Sequence, residues 1–216
     1  MELLHQDRDM VLVVKPFGVV SEGEGGMPAL LAAELGSEIY SVHRLDRETG
    51  GCMVFARTRA AAGKLSAIVS ERSMEKEYLA VVQGQMEEES AVLKDLLFRD
   101  AAKNKSFVVQ RQRKGVREAE LSYRVLETKE TEEGTFSLLR VKLATGRTHQ
   151  IRVQFSHRKH PLVGDQRYGS RIKSPHMALW SYRLAFRHPF RKEEVRVSAL
   201  PPAEYPWTLF ELPEES

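Results

Sequence analysis

Two segments in the second half of the chain, residues 119–126 and 136–143, constrain the fold most. Each alternates apolar and polar residues, and the turn-forming sequence E-E-G at residues 132–134 lies between them. Successive side chains of a strand point to opposite faces, so this alternation is typical of antiparallel strands with one buried face. Further strands are predicted at the apolar segments 10–14, 51–56, 75–83, 177–186 and 195–198.

Few segments show helical signals. Pro28 suits a first helical turn before the apolar segment 29–35, which Gly36 can close, and Thr58 can cap a helix that runs to about residue 71. A third helix is predicted to begin near Thr148. Many strands with few helices between them predict an α+β fold, with a mixed, mostly antiparallel central sheet and flanking helices, rather than a doubly wound fold.

The length of 216 residues, 42% of them hydrophobic, predicts a single domain over residues 1–216. Cys52 is the only cysteine, which excludes an intramolecular disulfide and suits a reducing compartment. It lies in an apolar run and is expected in the core. No segment approaches the about 20 apolar residues of a membrane span. We therefore expect a cytoplasmic monomer that does not bind membranes.

Charge is segregated along the chain. Residues 94–117 hold eight basic and two acidic residues, a balance of +6, and residues 140–173 hold nine basic and one acidic, a balance of +8. Since the whole chain carries +3, the other 158 residues carry −11. This segregation predicts a face that binds a polyanion, most often nucleic acid. The alternative is a solvated basic face, but both segments nearly lack acidic counter-charges.

The sequence V-H-R-L-D-R-E-T-G-G at residues 42–51 is the first candidate site. Its carboxylate, Asp46, lies between Arg44 and Arg47, and the glycine pair 50–51 predicts a nearby turn that presents the side chain. A nucleophile or an acid can be displayed in this way. Taken alone, the same residues also fit a charged surface loop in which Asp46 pairs with an arginine.

The second candidate site is A-T-G-R-T-H-Q-I-R-V at residues 144–153. Arg147, His149 and Arg152 fall around the first turns of a predicted helix. Cations and free N–H groups there form an anion site, either for a phosphate or for a carboxylate from elsewhere in the fold. His149 can equally cap the helix or pack against it, and Arg152 can equally be an ordinary surface charge.

No metal and no cofactor is expected. The histidines His149, His157 and His160 suggest zinc, but basic residues surround them and neither a carboxylate nor a thiolate lies between them in the sequence. The glycine-rich segment 21–26 matches no phosphate-binding motif.

Four ordered motifs resemble those of the RluA-type pseudouridine synthases. They are H-R-L-D-x-x-T-x-G at residues 43–51, K-x-Y-x-x-V at 76–81, G-R-T-H-Q-I-R-V at 146–153 and G-D-x-x-Y-G at 164–169. The resemblance covers nearly the whole chain. It implies the pseudouridine synthase fold and an enzyme that isomerises specific uridines in structured RNA, either rRNA or tRNA, to pseudouridine.

The resemblance also implies roles for single residues. Asp46 matches the catalytic aspartate, Tyr78 the tyrosine that stacks on the base and is a candidate proton acceptor, and Arg152 the arginine that pairs with the aspartate. Arg44 matches the arginine that fills the gap left by a flipped base, and Ile151 matches an apolar pocket position. The expected substrate-binding residues are thus Arg44, Arg147, His149 and Ile151.

Two positions depart from the family pattern, which puts loop rigidity and RNA fit in question. Gly50 stands where serine is common, and Gln154 stands where histidine is common. We also expect a stand-alone catalytic domain without an N-terminal S4 RNA-binding domain. A basic hairpin at about residues 94–116 is expected to clamp RNA in its place, through Lys103, Lys105, Arg111 and Arg113.

Two rival functions use the same residues. A nucleoside or glycoside hydrolase also places carboxylates at an anomeric carbon, but such enzymes usually pair two acids and only Glu48 lies near Asp46 in the sequence. A catalytically silent RNA-binding module would use the basic segments alone.

Overall fold

The structure is a computed structural model and describes residues 1–214. These residues form eleven β-strands and three α-helices. The strands are β1 Leu3–Gln6, β2 Met10–Lys15, β3 Tyr40–Ser41, β4 Gly50–Ala56, β5 Glu75–Gln83, β6 Ser90–Asp100, β7 Lys105–Val109, β8 Val116–Thr131, β9 Gly134–Leu143, β10 Leu179–Arg187 and β11 Glu194–Ser198. The helices are α1 Met27–Leu35, α2 Arg59–Ser70 and α3 Gln150–His157, with short 3-10 turns at Gln166–Tyr168 and Trp207–Leu209.

The chain divides into two compact units. Unit 1 comprises Met1–Glu77 and Trp180–Pro201 with residues 213–214, and unit 2 comprises Tyr78–Leu179 and Pro202–Leu212. That the two units make up one catalytic domain stays a prediction. None of the described helices is both long and apolar enough to cross a membrane.

Unit 1 is built around β4, all seven residues of which are buried. β4 lies between β2, an antiparallel neighbour, and β10, a parallel one. β1 pairs with β2, β11 with β10 and β3 with β4, each antiparallel. Cys52 is fully buried in this core, as predicted.

The helices of unit 1 begin and end where the sequence signals indicate. The Thr58 hydroxyl accepts a hydrogen bond from the Ala61 N–H at 3.1 Å, which satisfies one free donor at the start of α2. Pro28 lies in the first turn of α1, and Gly36 ends that helix at φ 64°, a left-handed conformation that glycine adopts without steric cost.

Unit 2 contains the strand order β5-β9-β8-β6-β7. β8 and β9 pair antiparallel through ten residue pairs, from Leu121 opposite Leu143 to Thr131 opposite Gly134, with a bulge between Val125 and Glu127. β6 pairs antiparallel with both β8 and β7. Residues 94–116 therefore contain the predicted hairpin, made of β6, a turn at residues 101–104 and β7.

The α+β class and the mixed, mostly antiparallel sheet are confirmed. The observed strands differ from the sequence prediction mainly in length: β8 spans sixteen residues, although only 119–126 alternate clearly. β1 and β3 were not predicted, because four and two residues with mixed polarity carry no usable periodicity.

Candidate active site

The Asp46 loop, residues 42–49, is positioned by the pairing of β2 with β4. β2 ends at Lys15 opposite Gly51, so the loop that follows β2 lies beside the loop that precedes β4. The Thr49 N–H donates to the Asp46 carbonyl at 3.0 Å, which closes a turn directly after the half-buried aspartate. The predicted turn is thus confirmed.

Ser21 holds the residue before Asp46. Its hydroxyl donates to the Leu45 carbonyl at 2.7 Å and accepts from the Leu45 N–H at 3.0 Å. Ser21 and Leu45 are both buried, at 4% and 5% exposure. Because one hydroxyl satisfies both main-chain groups of Leu45 away from water, the backbone there has little freedom to shift.

Lys15 and Gly18 hold the residue after Asp46. The Gly18 N–H donates to the Arg47 carbonyl at 2.9 Å, and Arg47 Nε donates to the Gly18 carbonyl at 2.8 Å. Lys15 Nζ donates to the carbonyls of Pro16, Val19 and Arg47 at 2.9, 2.7 and 3.2 Å. The segment 15–21 therefore fixes the main chain on both sides of the aspartate.

Lys15 also places a positive charge inside unit 1. Its side chain is completely buried. Burial lowers the pKa of Lys15 to about 8, while the carboxylates of Glu48 and Asp46 act in the opposite direction.

The glycine pair 50–51 lies outside the turn after Asp46, so the sequence predicted this turn correctly but assigned it to the wrong residues. Both residues begin β4, where neighbouring groups leave no room for a side chain. A Cβ on Gly50 would lie 2.4 Å from the Trp180 ring, and a Cβ on Gly51 would lie 2.3 Å from the Ser181 carbonyl oxygen. The departure at Gly50 is thus explained by the bulk of Trp180, which also packs against Phe17 at 5.3 Å between ring centroids.

Arg44 and His43 differ sharply in environment. Arg44 is 65% exposed, and its guanidinium lies 3.8 Å from the carboxylate of Glu22. Such an exposed pair contributes little to the free energy of unfolding. His43 is buried and accepts a hydrogen bond from the Val54 N–H at 3.1 Å. Burial, helped by the charge of Lys76, lowers the pKa of His43 to about 3, so this histidine is neutral and structural.

The second candidate site, at the start of α3 in unit 2, is held mainly by amide and hydroxyl groups. Gln150 accepts from the Arg147 N–H at 3.0 Å and from the Thr145 hydroxyl at 2.8 Å, and its amide donates to the Glu120 carbonyl at 3.0 Å. Arg147 Nε donates to the Glu118 carbonyl at 2.9 Å.

His149 occupies the N-cap position of α3 with φ 54°, and its side chain is not the cap. Instead, Nδ1 lies 2.9 Å from the Tyr168 hydroxyl. That hydroxyl also accepts from the Ser106 N–H at 2.8 Å, so its own proton is available to His149 Nδ1. Of the two structural roles for His149, capping and packing, the structure shows packing. Substrate binding by His149 stays a prediction.

Arg152 forms a buried ion pair with Asp165. Nε and Nη2 of the guanidinium lie 2.7 and 2.8 Å from the two carboxylate oxygens, and both side chains are at most 7% exposed. The Tyr168 ring lies 5.0 Å from the guanidinium carbon. The carboxylate alternative of the predicted anion site is therefore realised by Asp165, and the pairing of Arg152 with Asp46 stays a prediction.

The remaining predicted residues are buried parts of unit 2. Tyr78, in β5, is 6% exposed, and Ile151, in α3, is 4% exposed. Asp46 and Arg44 belong to unit 1, whereas Tyr78, Arg147, His149, Ile151 and Arg152 belong to unit 2.

The second departure from the family pattern, Gln154, is accounted for by its hydrogen bonds. Its amide donates to Asp95 of β6 at 2.7 Å, and the same carboxylate accepts from Arg158 at 2.8 Å. At the other end of α3, the Ser106 hydroxyl of β7 donates to the Thr148 carbonyl at 2.7 Å. Both strands of the basic hairpin are thus tied to α3 by polar contacts.

One group of side chains among residues 1–214 has the spacing of a metal site. The ligand atoms of Asp7, Asp9 and His188 lie within 4.8 Å of one another. Asp7 already accepts from His188 at 2.8 Å and from two main-chain N–H groups at 2.7 and 2.9 Å. These bonds account for the cluster as a structural link between the β1–β2 and β10–β11 turns.

Comparison with known proteins identifies the class. A sequence model of the family "RNA pseudouridylate synthase" matches residues 9–157. The chain is 32% identical to tRNA pseudouridine synthase C of Vibrio parahaemolyticus, over 92% of this chain and 89% of that protein. It is 34% identical to ribosomal large subunit pseudouridine synthase D of Yersinia pestis, over 93% of this chain and 62% of that protein.

Solved structures give the same result. Human RNA pseudouridylate synthase domain containing 1 superposes with a TM-score of 0.81 and 26% identity, over 93% of this chain and 83% of that one. The chain belongs to the RNA pseudouridylate synthase family. It is accordingly an RNA pseudouridine synthase, an isomerase, with the pseudouridine synthase fold.

The sequence analysis missed Ser21, Lys15 and Asp165. Ser21 carries no signal beyond its place in a glycine-rich loop. Lys15 ends a strand just before a proline, and a lysine in that position is expected at the protein surface. Asp165 lies in the G-D-x-x-Y-G motif, the only acidic residue of the basic segment 140–173, and that isolation was the available signal.

Proposed function

We propose that this protein converts specific uridines in structured RNA, tRNA or rRNA, to pseudouridine with Asp46 as the catalytic carboxylate. The observation that supports it most directly is the bracketing of Asp46: hydrogen bonds fix Leu45 and Arg47 on both sides of it. A carboxylate held in one place is what attack on, or proton abstraction from, a bound sugar requires.

The reaction balances within the substrate. The C1′–N1 bond breaks, the uracil rotates, a C1′–C5 bond forms, and the proton on C5 is lost while N1 gains one. Asp46 attacks C1′ or accepts the C2′ proton, which are the two routes open to an ionised carboxylate. Tyr78 stacks on the uracil and is the candidate acceptor of the C5 proton. Arg152 is expected to pair with Asp46, in addition to its bonds to Asp165.

Access to C1′ requires the uridine to leave the base stack. Arg44 suits the role of filling the resulting gap, because among residues 1–214 its exposed guanidinium makes only the 3.8 Å contact to Glu22. Ile151, Arg147 and His149 are proposed to shape and orient the bound nucleotide. The basic segments supply the attraction for the RNA backbone.

The test is pseudouridine formation by the purified protein on a tRNA pool and on large-subunit rRNA, with wild type beside Asp46→Asn. We expect product from wild type and none from Asp46→Asn, since an amide keeps the shape of the carboxylate but not its charge. RNA binding and thermal unfolding should stay nearly unchanged in the variant. Substantial turnover by Asp46→Asn would refute the assignment.

The two rival functions give other products. A hydrolase would release free uracil and leave an abasic site in the RNA. A silent RNA-binding module would leave every uridine unchanged with wild-type protein. Mapping pseudouridines in a deletion strain against its parent then identifies the RNA and the position.

A further inference from the structure

A surface cavity of about 490 Å³ lies wholly within unit 2. Three segments line it: the end of β5 with the two residues after it, the last turn of α3 with the loop that follows, and the end of the 3-10 turn Gln166–Tyr168 with the residues after it. The lining residues are Gln83, Gly84, Gln85, Ser156, Lys159, His160, Pro161, Tyr168, Gly169 and Arg171. This volume falls in the range of small-ligand pockets and exceeds what a bare phosphate needs.

The lining of the cavity is cationic. Lys159 and Arg171 are exposed, and neither charged group has an acceptor among residues 1–214. None of the described lining residues is acidic. Both cations belong to the segment 140–173, which carries +8. Two unpaired cations with no neighbouring carboxylate are arranged to receive an anion.

His160 adds a polar group with a fixed orientation. Its Nδ1 lies 2.9 Å from the Gln83 carbonyl, which can only accept, so Nδ1 carries the proton. Among residues 1–214, Nε2 then has no partner and is left to contact a bound group.

Lys159 has an unfavourable backbone. It adopts φ 66°, the left-handed region in which glycine is the least strained residue. A lysine after a helix also offsets the negative end of the helix dipole, and this is the competing explanation for its charge. Replacement by glycine removes the charge and relieves the strain, so a loss of RNA affinity in that variant reports the missing charge rather than a destabilised backbone.

We propose that this cavity binds a phosphate group of the RNA substrate, with Arg171 and Lys159 as the charged ligands. A guanidinium can contact two phosphate oxygens at once, while the ammonium acts as a point charge. The space beyond the phosphate accommodates part of the attached nucleotide. The inference rests on the proposed function, because it takes RNA as the source of the phosphate.

The experiment measures binding rather than turnover. The double variant Lys159→Gly, Arg171→Gln is compared with wild type and with the control Lys192→Gln, Arg187→Gln. The control removes the same charge from exposed residues of unit 1 whose side chains make no hydrogen bond or ion pair among residues 1–214. Binding of tRNA and of a large-subunit rRNA fragment is measured across a salt series, and inorganic phosphate and uridine monophosphate are tested as competitors.

The site variant should bind RNA about tenfold more weakly, the order expected for two exposed ion pairs. Its log–log salt slope should flatten by about 0.7 to 0.9 for each lost contact. The control should change neither. Thermal unfolding of the double variant should occur near the wild-type temperature, because Arg171 is exposed and glycine relieves the strain at residue 159, and this result excludes misfolding as the cause.

Unchanged affinity and slope in the site variant would overturn the proposal and leave Lys159 as a helix-dipole partner. Competition by uridine monophosphate without any effect of the variant on RNA affinity would also overturn it, in favour of a free nucleotide. The proposed function is judged separately by pseudouridine formation with wild-type protein, so either idea can fail alone.

Discussion

The two motif regions are held in place by different kinds of bonds. In unit 1, Ser21, Lys15 and Gly18 bond to main-chain groups on either side of Asp46, so this positioning acts through the backbone of the loop. In unit 2, Arg152 is held through its own side chain, by two bonds to Asp165 and by the ring of Tyr168.

This difference bears on how each region tolerates substitution. A loop held through its main chain keeps its shape when the functional side chain is changed, as long as the bracketing residues remain. Changing either partner of a buried ion pair destabilises the protein, because the other charge then stays buried without a counter-charge. Substitution of Asp46 should therefore lower turnover without changing stability, whereas substitution of Arg152 should lower both.

Arg152→Met is expected to have the largest effect on stability. Breaking a buried ion pair by removing one partner typically costs about 3–5 kcal/mol of the free energy of unfolding. Turnover should fall as well if Arg152 also pairs with Asp46. Denaturant unfolding and single-turnover kinetics measure the two effects.

Asp165→Asn is the matched control for Arg152. It should cost similar stability, yet lose less turnover, because Asp165 has no proposed contact with the substrate. Equal losses of rate in the two variants would assign Arg152 a structural role only, and wild-type stability in both would contradict the importance of the pair.

Ser21→Ala is expected to have an intermediate effect. It leaves the N–H and carbonyl of Leu45 without their partner in a buried place, which costs about 1–2 kcal/mol. The rate at saturating RNA should fall more than the apparent affinity, because Asp46 loses its fixed position while the RNA contacts remain. Ser41→Ala, which removes a single 3.2 Å bond to the Ser21 carbonyl, serves as the control. Equal rates in both variants would contradict the role of Ser21 in fixing the main chain beside Asp46.

The pH dependence of turnover tests Lys15. Its pKa lies near 8 in the folded protein against 10.5 when unperturbed, so the ammonium loses its third donor and its charge as pH rises above about 8. We expect turnover to fall about tenfold per pH unit there. The unfolded chain binds more protons between pH 8 and 10.5, so the contribution of Lys15 to stability rises over the same window. Turnover and stability thus change in opposite directions, which distinguishes this effect from unfolding. The same decline in Lys15→Met would assign it to another group.

The sequence predicted the elements whose signals are local and missed those that depend on distant partners. Thr58, Gly36 and the alternating strands 119–126 and 136–143 act within a few residues, and all appear as expected. The pairing of Arg152 with Asp165 joins α3 to a turn, and no spacing rule identifies it. The sequence suggested that Gly50 forms a turn. In the structure, the ring of Trp180, 130 residues later in the chain, leaves no room for a side chain at that position.

Substitutions in the basic hairpin are expected to have the smallest effects. The sequence assigned RNA contacts to Lys103, Lys105, Arg111 and Arg113, but these residues differ in the structure. Lys105 Nζ donates to the Arg167 carbonyl at 2.7 Å and lies 5.0 Å from the Tyr168 ring, so it helps tie the hairpin to the residues around α3. Arg113 covers the Phe98 ring at 4.9 Å, and Lys103 is 72% exposed.

We therefore expect Lys105→Gln to lower stability slightly, by a few tenths of a kcal/mol up to about 1 kcal/mol, with a modest loss of RNA affinity. The triple variant Lys103→Gln, Arg111→Gln, Arg113→Gln should leave stability nearly unchanged and flatten the log–log salt slope by about 0.7 to 0.9 per lost contact. Filter binding across a salt series, with Lys192→Gln, Arg187→Gln beside it, measures the slope. If the triple variant keeps the wild-type slope, the hairpin is a solvated face, and RNA recognition moves to the basic segment 140–173, where the cavity beside Lys159 and Arg171 then carries more of the binding.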